Sequence, residues 1–220
     1  MTTLTIEDII YRVRAKFDEI GLNDADFQDM DKDDNEMDEV IKDKLLAALR
    51  YILLNSDSSL LEGTELADKT GFSIDSNLVG HLSEPTDMIR IVSARLSSWI
   101  KSCNVLITEE STEYAMQSDK YACGTYERPV TALARVGGKK EVQFFKAKTS
   151  TDTLNTFTYI QEPAFRENTE GQDSLNIPDR LLNAFLYFTA ALTLQAFSNE
   201  LYQSTMGIAK SMMGYDTTEK

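Results

Sequence analysis

From Leu181 to Asn199 the chain runs nineteen residues without a charge: LLNAFLYFTAALTLQAFSN. A helix apolar on nearly every side must be enclosed, by lipid or by protein. Asn183, Thr189, Thr193, Gln195, Ser198 and Asn199 interrupt the apolar run, and no Lys/Arg cluster flanks it. Those features speak against a membrane span and for enclosure by the protein itself. The N-terminal region supplies the covering elements. Ile6, Ile9, Ile10, Val13, Phe17 and Ile20 recur at helical spacing before Gly21, and Thr5 with Asp8 forms an N-cap pair. A second helix is predicted over residues 36–54, with Val40, Ile41, Leu45, Leu46, Leu49, Ile52 and Leu53 on one broad face. The last helix is predicted to start at Pro178, capped by Asn176, and to continue to Gly207 and Gly214. About 30 residues of helix would make a rod of roughly 45 Å.

Between residues 63 and 164 the periodicity changes. Met88 to Val92, Val105 to Thr108 and Thr156 to Ile160 are short β-branched or aromatic runs bounded by turn residues. Residues 94–102 offer a short helix as an alternative. The clearest unit is Val130 to Val136, Gly137-Gly138, then Glu141 to Ala147, a hairpin signal because glycine tolerates the positive φ of tight turns. The expected fold is α+β but mainly α: a helical bundle of two N-terminal helices and one long C-terminal helix, with an inserted antiparallel β region. The expected segments are 1–62 (helical pair with an acidic loop), 63–166 (β-rich insertion) and 167–220 (long helix and docking tail), the helical parts packing as one domain.

Charge and motifs narrow the function classes. The net charge is −14 and the pI near 4.5, unlike a nucleic-acid reader or a protein that docks on anionic lipid. Between Asp18 and Asp43 twelve acids stand against Lys32 and Lys42, a net of −10. Asp29, Asp31 and Asp33 match the first ligand positions of a calcium loop. Asp34 then falls where glycine is required and Val40 where a bidentate glutamate belongs, so the run reads as solvated charge. His81 is the single histidine, Cys103 and Cys123 form no CxxC pair, and no nucleophile elbow, zinc or phosphate-loop motif occurs. The expectation is therefore no enzyme, no metal and no cofactor. The two cysteines point to a reducing compartment, and MTTLTIEDII has neither a basic n-region nor an apolar h-region of a secretory signal. Trp99, Pro129 and Pro178 read as structural anchors. Met206, Ile208, Met212, Met213 and Tyr215 form an apolar supply beyond the buried helix, loosened by Gly207 and Gly214, and read as a docking tail outside the fold.

The order of these elements resembles the head-to-tail connector (adaptor) proteins of tailed bacteriophages, in particular of short-tailed, podovirus-like phages. Four segments carry the likeness. His81-Leu-Ser-Glu-Pro-Thr-Asp-Met-Ile-Arg-Ile91, continuing to Trp99, is similar to the family's Leu-Pro-x-Asp-Phe-x-x-Leu segment. Gln117-Ser-Asp-Lys-Tyr-Ala-Cys-Gly-Thr125 with Arg128-Pro129-Val130 is similar to its Gln-x-Asn-x-x-x-x-Gly-Thr…Pro element. Asn176-Ile-Pro-Asp-Arg-Leu-Leu182 resembles the start of its last helix, and the alanine-containing tract from Ala190 to Ala209 resembles the rest. Glu84 departs from the pattern, where the family has Leu directly before Pro, and so does the density of the acidic loop. The resemblance implies a homo-oligomeric virion ring, twelvefold like the portal and assembled in the host bacterial cytoplasm. It would join portal to tail, grip the portal with its C-terminal extension and line the channel through which DNA passes as non-specific cargo. The next tail or ring protein would be a further partner, and no membrane would be involved. Asp29, Asp31, Asp33 and Asp34 are the candidate channel-facing residues, since an acidic wall repels phosphate. The competing reading is an acidic cytosolic protein-binding module, such as a DNA-mimic inhibitor or regulator.

Overall fold

The computed structural model describes residues 1–21, 34–119 and 121–214, and the backbone alone at Asp34 and Asn35. In chain order the elements are β1 (Thr2–Thr5), α1 (Ile6–Glu19), α2 (Asp34–Asn55), β2 (Thr64–Glu65), β3 (Ser73–Ile74), β4 (Gly80–Ser83), β5 (Met88–Leu96), β6 (Leu106–Thr108), α3 (Thr112–Ala115), β7 (Val130–Val136), β8 (Lys139–Phe145), β9 (Leu154–Gln161), β10 (Arg166–Glu167), β11 (Asp173–Ile177), α4 (Leu182–Ala196) and α5 (Tyr202–Met212). The chain divides into two units, residues 1–62 with 162–220, and residues 63–161.

The expectation of a mainly helical bundle is corrected. Among the described residues 37% are helical and 28% lie in strands, with five helices and three sheets, an α+β fold. Most of the strand lies in the inserted unit, and two features of the discontinuous unit also depart from the expected bundle. First, it contains a sheet in the order β1–β11–β10, with Thr2 opposite Ile177 and Arg166 opposite Ser174. Asn176 therefore lies in a strand, where its Oδ1 accepts from Thr3 Oγ1 at 2.7 Å, and does not cap a helix. Pro178, buried, instead precedes a single 3₁₀ turn over Asp179–Leu181. Second, the long C-terminal helix is broken. α4 ends at Ala196, Ser198 takes a left-handed φ of 57°, and Asn199 Oδ1 accepts the N–H of Leu201 ahead of α5. Serine and asparagine compete for backbone hydrogen bonds and favour such turns. Gly207, in contrast, stays inside α5. At ~1.5 Å per residue the expected rod becomes two helices of roughly 22 and 16 Å, packed against each other.

The core of this unit follows the helical periodicities. Thr5 Oγ1 accepts the N–H of Asp8 at 3.2 Å and starts α1, whose Ile6, Ile9, Val13 and Phe17 are buried. α2 buries Ile41, Leu45, Leu49 and Ile52, and its Tyr51 stacks on Phe188 of α4 with centroids 4.5 Å apart. Nine of the fifteen residues of α4 are buried, which explains its lack of charge.

The inserted unit holds two sheets, one in the order β2–β9–β5 and one in the order β3–β4–β8–β7–β6. The β7–β8 hairpin turns through Gly137 (φ 59°) and Gly138 (φ 81°), two consecutive positive values of the kind a two-residue primed turn requires. Strand β5 runs as far as Leu96, so residues 94–96 are not helical. Trp99 is 1% exposed in the core of this unit beside Leu96, Phe144 and Phe157, and its Nε1 donates to the carbonyl of Lys146 at 3.3 Å. Pro129, half-buried, follows the tight turn Thr125–Arg128 and leads into β7.

Candidate interaction site

The candidate docking residues divide between a buried and a part-exposed face at the end of the chain's last described helix, α5. Thr205, Ala209 and Met213 are buried, Met213 completely, while Ile208 and Met212 are 38% and 39% exposed. Met206 is half-buried. Met213 is anchored further: its carbonyl accepts the N–H of Asp57 at 3.0 Å. Gly214 follows with φ 77°, and a Cβ there would sit 3.0 Å from Cβ of Asp57. The expectation of a tail standing outside the fold is thus corrected for residues 203–213, because an apolar face at helical spacing packs on α4. What remains open to a partner is the opposite stripe, Ile208 and Met212, spaced i and i+4, with Leu201 37% exposed nearby. Tyr215 lies outside the described residues, as do Asp29, Asp31 and Asp33; Asp34 is the first residue of α2.

A polar network crosses the five-stranded sheet. His81 on β4 places Nδ1 2.8 Å from Glu141 Oε1 on β8 and Nε2 3.6 Å from Asp75 Oδ2. Gln143 Nε2 donates to the same Glu141 oxygen at 2.8 Å, and Tyr114 Oη donates to Gln143 Oε1 at 2.9 Å. Burial pushes the Asp75 carboxyl up, but the N–H groups of Val79 and Asn77, with His81, outweigh it and hold the carboxyl below its usual range. Burial, followed by the charge of Glu109, raises the Tyr114 phenol. Beside the network is a cavity of about 520 Å³ whose lining includes Asn77, Val79, Tyr114, Phe145 and Lys146. Lys146 in the lining has a φ of 62° and Leu78, between Asn77 and Val79, a φ of 61°, and the N–H of Ala147 donates to the carbonyl of Leu78 at 2.9 Å. The sequence marks His81 only as the single histidine; its partner Glu141 is sixty positions away and no local pattern joins them.

The arrangement ties neighbouring strands together. His81 hydrogen-bonds no serine, threonine or cysteine among the described residues. Cys103 is buried, with Sγ 3.3 Å from the carbonyl of Val105, and Cys123 is half-buried. No cluster of three or more His, Cys, Asp or Glu side chains suited to a metal occurs among the described residues. No helix among them is long and apolar enough to cross a membrane. No protein-family model matches the chain, and no curated protein matches it.

Proposed function

We propose that this chain is a head-to-tail connector protein of a tailed bacteriophage, forming a homo-oligomeric, twelvefold ring that joins the portal vertex to the tail and lines the DNA channel. The observation that carries the reading is the discontinuous unit, formed by residues 1–62 together with 162–220, with residues 63–161 inserted in the chain between them as a second unit. A ring subunit must offer two different surfaces to its two neighbours, and a division into a helix-rich and a sheet-rich unit is compatible with that requirement. The order of the four family-like segments supports the same assignment. Ile208 and Met212 on the outer face of α5 supply an apolar patch for the portal. A net charge of −14 suits a conduit that must not retain nucleic acid. Negative-stain imaging of the chain mixed with the portal of its own virion tests the proposal. The expected result is a continuous ring of density on one end of each portal. Bare portals, or a chain that remains monomeric and binds DNA-binding proteins instead, would overturn it.

A further inference from the structure

The tip of the β7–β8 hairpin gathers three exposed cations in this acidic chain. Arg135, Lys139 and Lys140 are all exposed around Gly137-Gly138, and Val136 between them is 51% exposed. A Cβ at either glycine would meet nothing within 4 Å, so the tip stands clear of its surroundings. The register sets Arg135 directly opposite Lys140, and like charges facing each other across two strands destabilise the pair. Relief within the unit is partial. Glu84 lies 3.6 Å from Lys140 Nζ, and Glu109 accepts the backbone N–H of Arg135, but the side chains of Arg135 and Lys139 have no ion pair among the described residues. A hairpin held in that state calls for an external partner that is anionic around an apolar spot.

The other unit contains a surface of that description. On α2, Glu36, Glu39 and Asp43 are exposed at spacings of three and four residues, on one side of the helix. Glu39 and Asp43 border a shallow cleft of about 420 Å³ whose apolar lining is Leu46 and Phe165, with Lys42 the one cation among the lining residues; Lys44 Nζ already pairs with Asp43 at 2.7 Å, so Glu39 is the lining acid with no ion pair among the described residues.

We propose that the hairpin tip of one copy docks in the α2–Phe165 cleft of the next, its cations against Glu39 and Asp43 and Val136 against Leu46 and Phe165. Tip and cleft are different surfaces, so the contact is head-to-tail and closes a ring when its rotation permits. The inference rests on the ring reading above and names the contact that would build the ring.

Charge exchange tests it. Two full-length variants, K139E/K140E and E39K/D43K, alter only exposed side chains, and circular dichroism should show both folded. Sedimentation velocity over a concentration series should show the wild type associating, more weakly as salt is raised. Each variant alone should associate at least about tenfold less well, because like charges then meet at every contact. An equimolar mixture of the two should recover association, since every tip–cleft pair is again of opposite sign. Variants that associate like the wild type, or a mixture that does not recover, would overturn the docking while leaving the ring on the portal standing. A wild type that stays monomeric throughout would also overturn the docking. The ring reading itself falls only if the portal images are bare.

Discussion

The N–H of Asp57, just past the end of α2, donates to the carbonyl of Met213, just past the end of α5, at 3.0 Å. That bond and the complete burial of Met213 make the end of α5 part of the folded body. Met213→Ala should cost about 2–5 kcal/mol, the range for truncating a buried large side chain, measured by urea unfolding followed at 222 nm. Truncation after Gln203 should abolish the cooperative transition of the discontinuous unit. A truncated chain that unfolds like the full one would show that α5 is dispensable.

The opposite face of α5 should behave differently. Ile208→Asp together with Met212→Asp changes only part-exposed positions, so the melting temperature should move little. On the connector reading proposed above, co-sedimentation with the portal should be lost. Retained binding would remove this stripe from the docking surface.

Thr189 sits fully buried in the middle of α4, and its Oγ1 has no hydrogen-bond partner among the described residues. A desolvated, unpaired hydroxyl costs stability, and valine replaces it with a methyl group of nearly the same shape. Thr189→Val should therefore stabilise the protein by about 1 kcal/mol in urea titrations, whereas destabilisation would mean the hydroxyl has a partner.

Asp152 closes the loop after β8 by accepting from the hydroxyl of Ser98, the N–H of Lys148 at 2.7 Å and Thr149 Oγ1 at 3.1 Å. Burial pushes its carboxyl up, but these hydrogen bonds outweigh it and hold the group below the usual range. A depressed folded pKa means that the stabilisation is complete above the unfolded value, about 4, and is lost as the pH falls through the lower folded value. Asp152→Ala should cost about 1–3 kcal/mol near neutral pH and less in acid, with Trp99 fluorescence reporting the inserted unit. An equal loss at both pH values would disprove the carboxylate's role.

Much of the local structure was legible in the residues themselves. Thr5 as a cap and Ile6, Ile9, Val13 and Phe17 at helical spacing determine α1, because capping and one apolar face are properties of a single segment. Gly137-Gly138 likewise determines the turn between β7 and β8, since few other residues accept two positive φ values in succession. What tertiary structure decided was which segments meet. Thr2–Thr5 and Asp173–Ile177 are too short and too polar to announce strands, and they become strands only by pairing with each other across almost the whole chain. Ser198 takes a left-handed φ, and the turn there brings α5 back against α4. Met213 is buried while Met212 beside it is not, a difference of one helical position that composition cannot reveal. His81 acquires Glu141 and Asp75 only when β3, β4 and β8 lie side by side. Periodicity reports that a face is apolar; only the long-range pairing of strands and packing of helices determines what covers it.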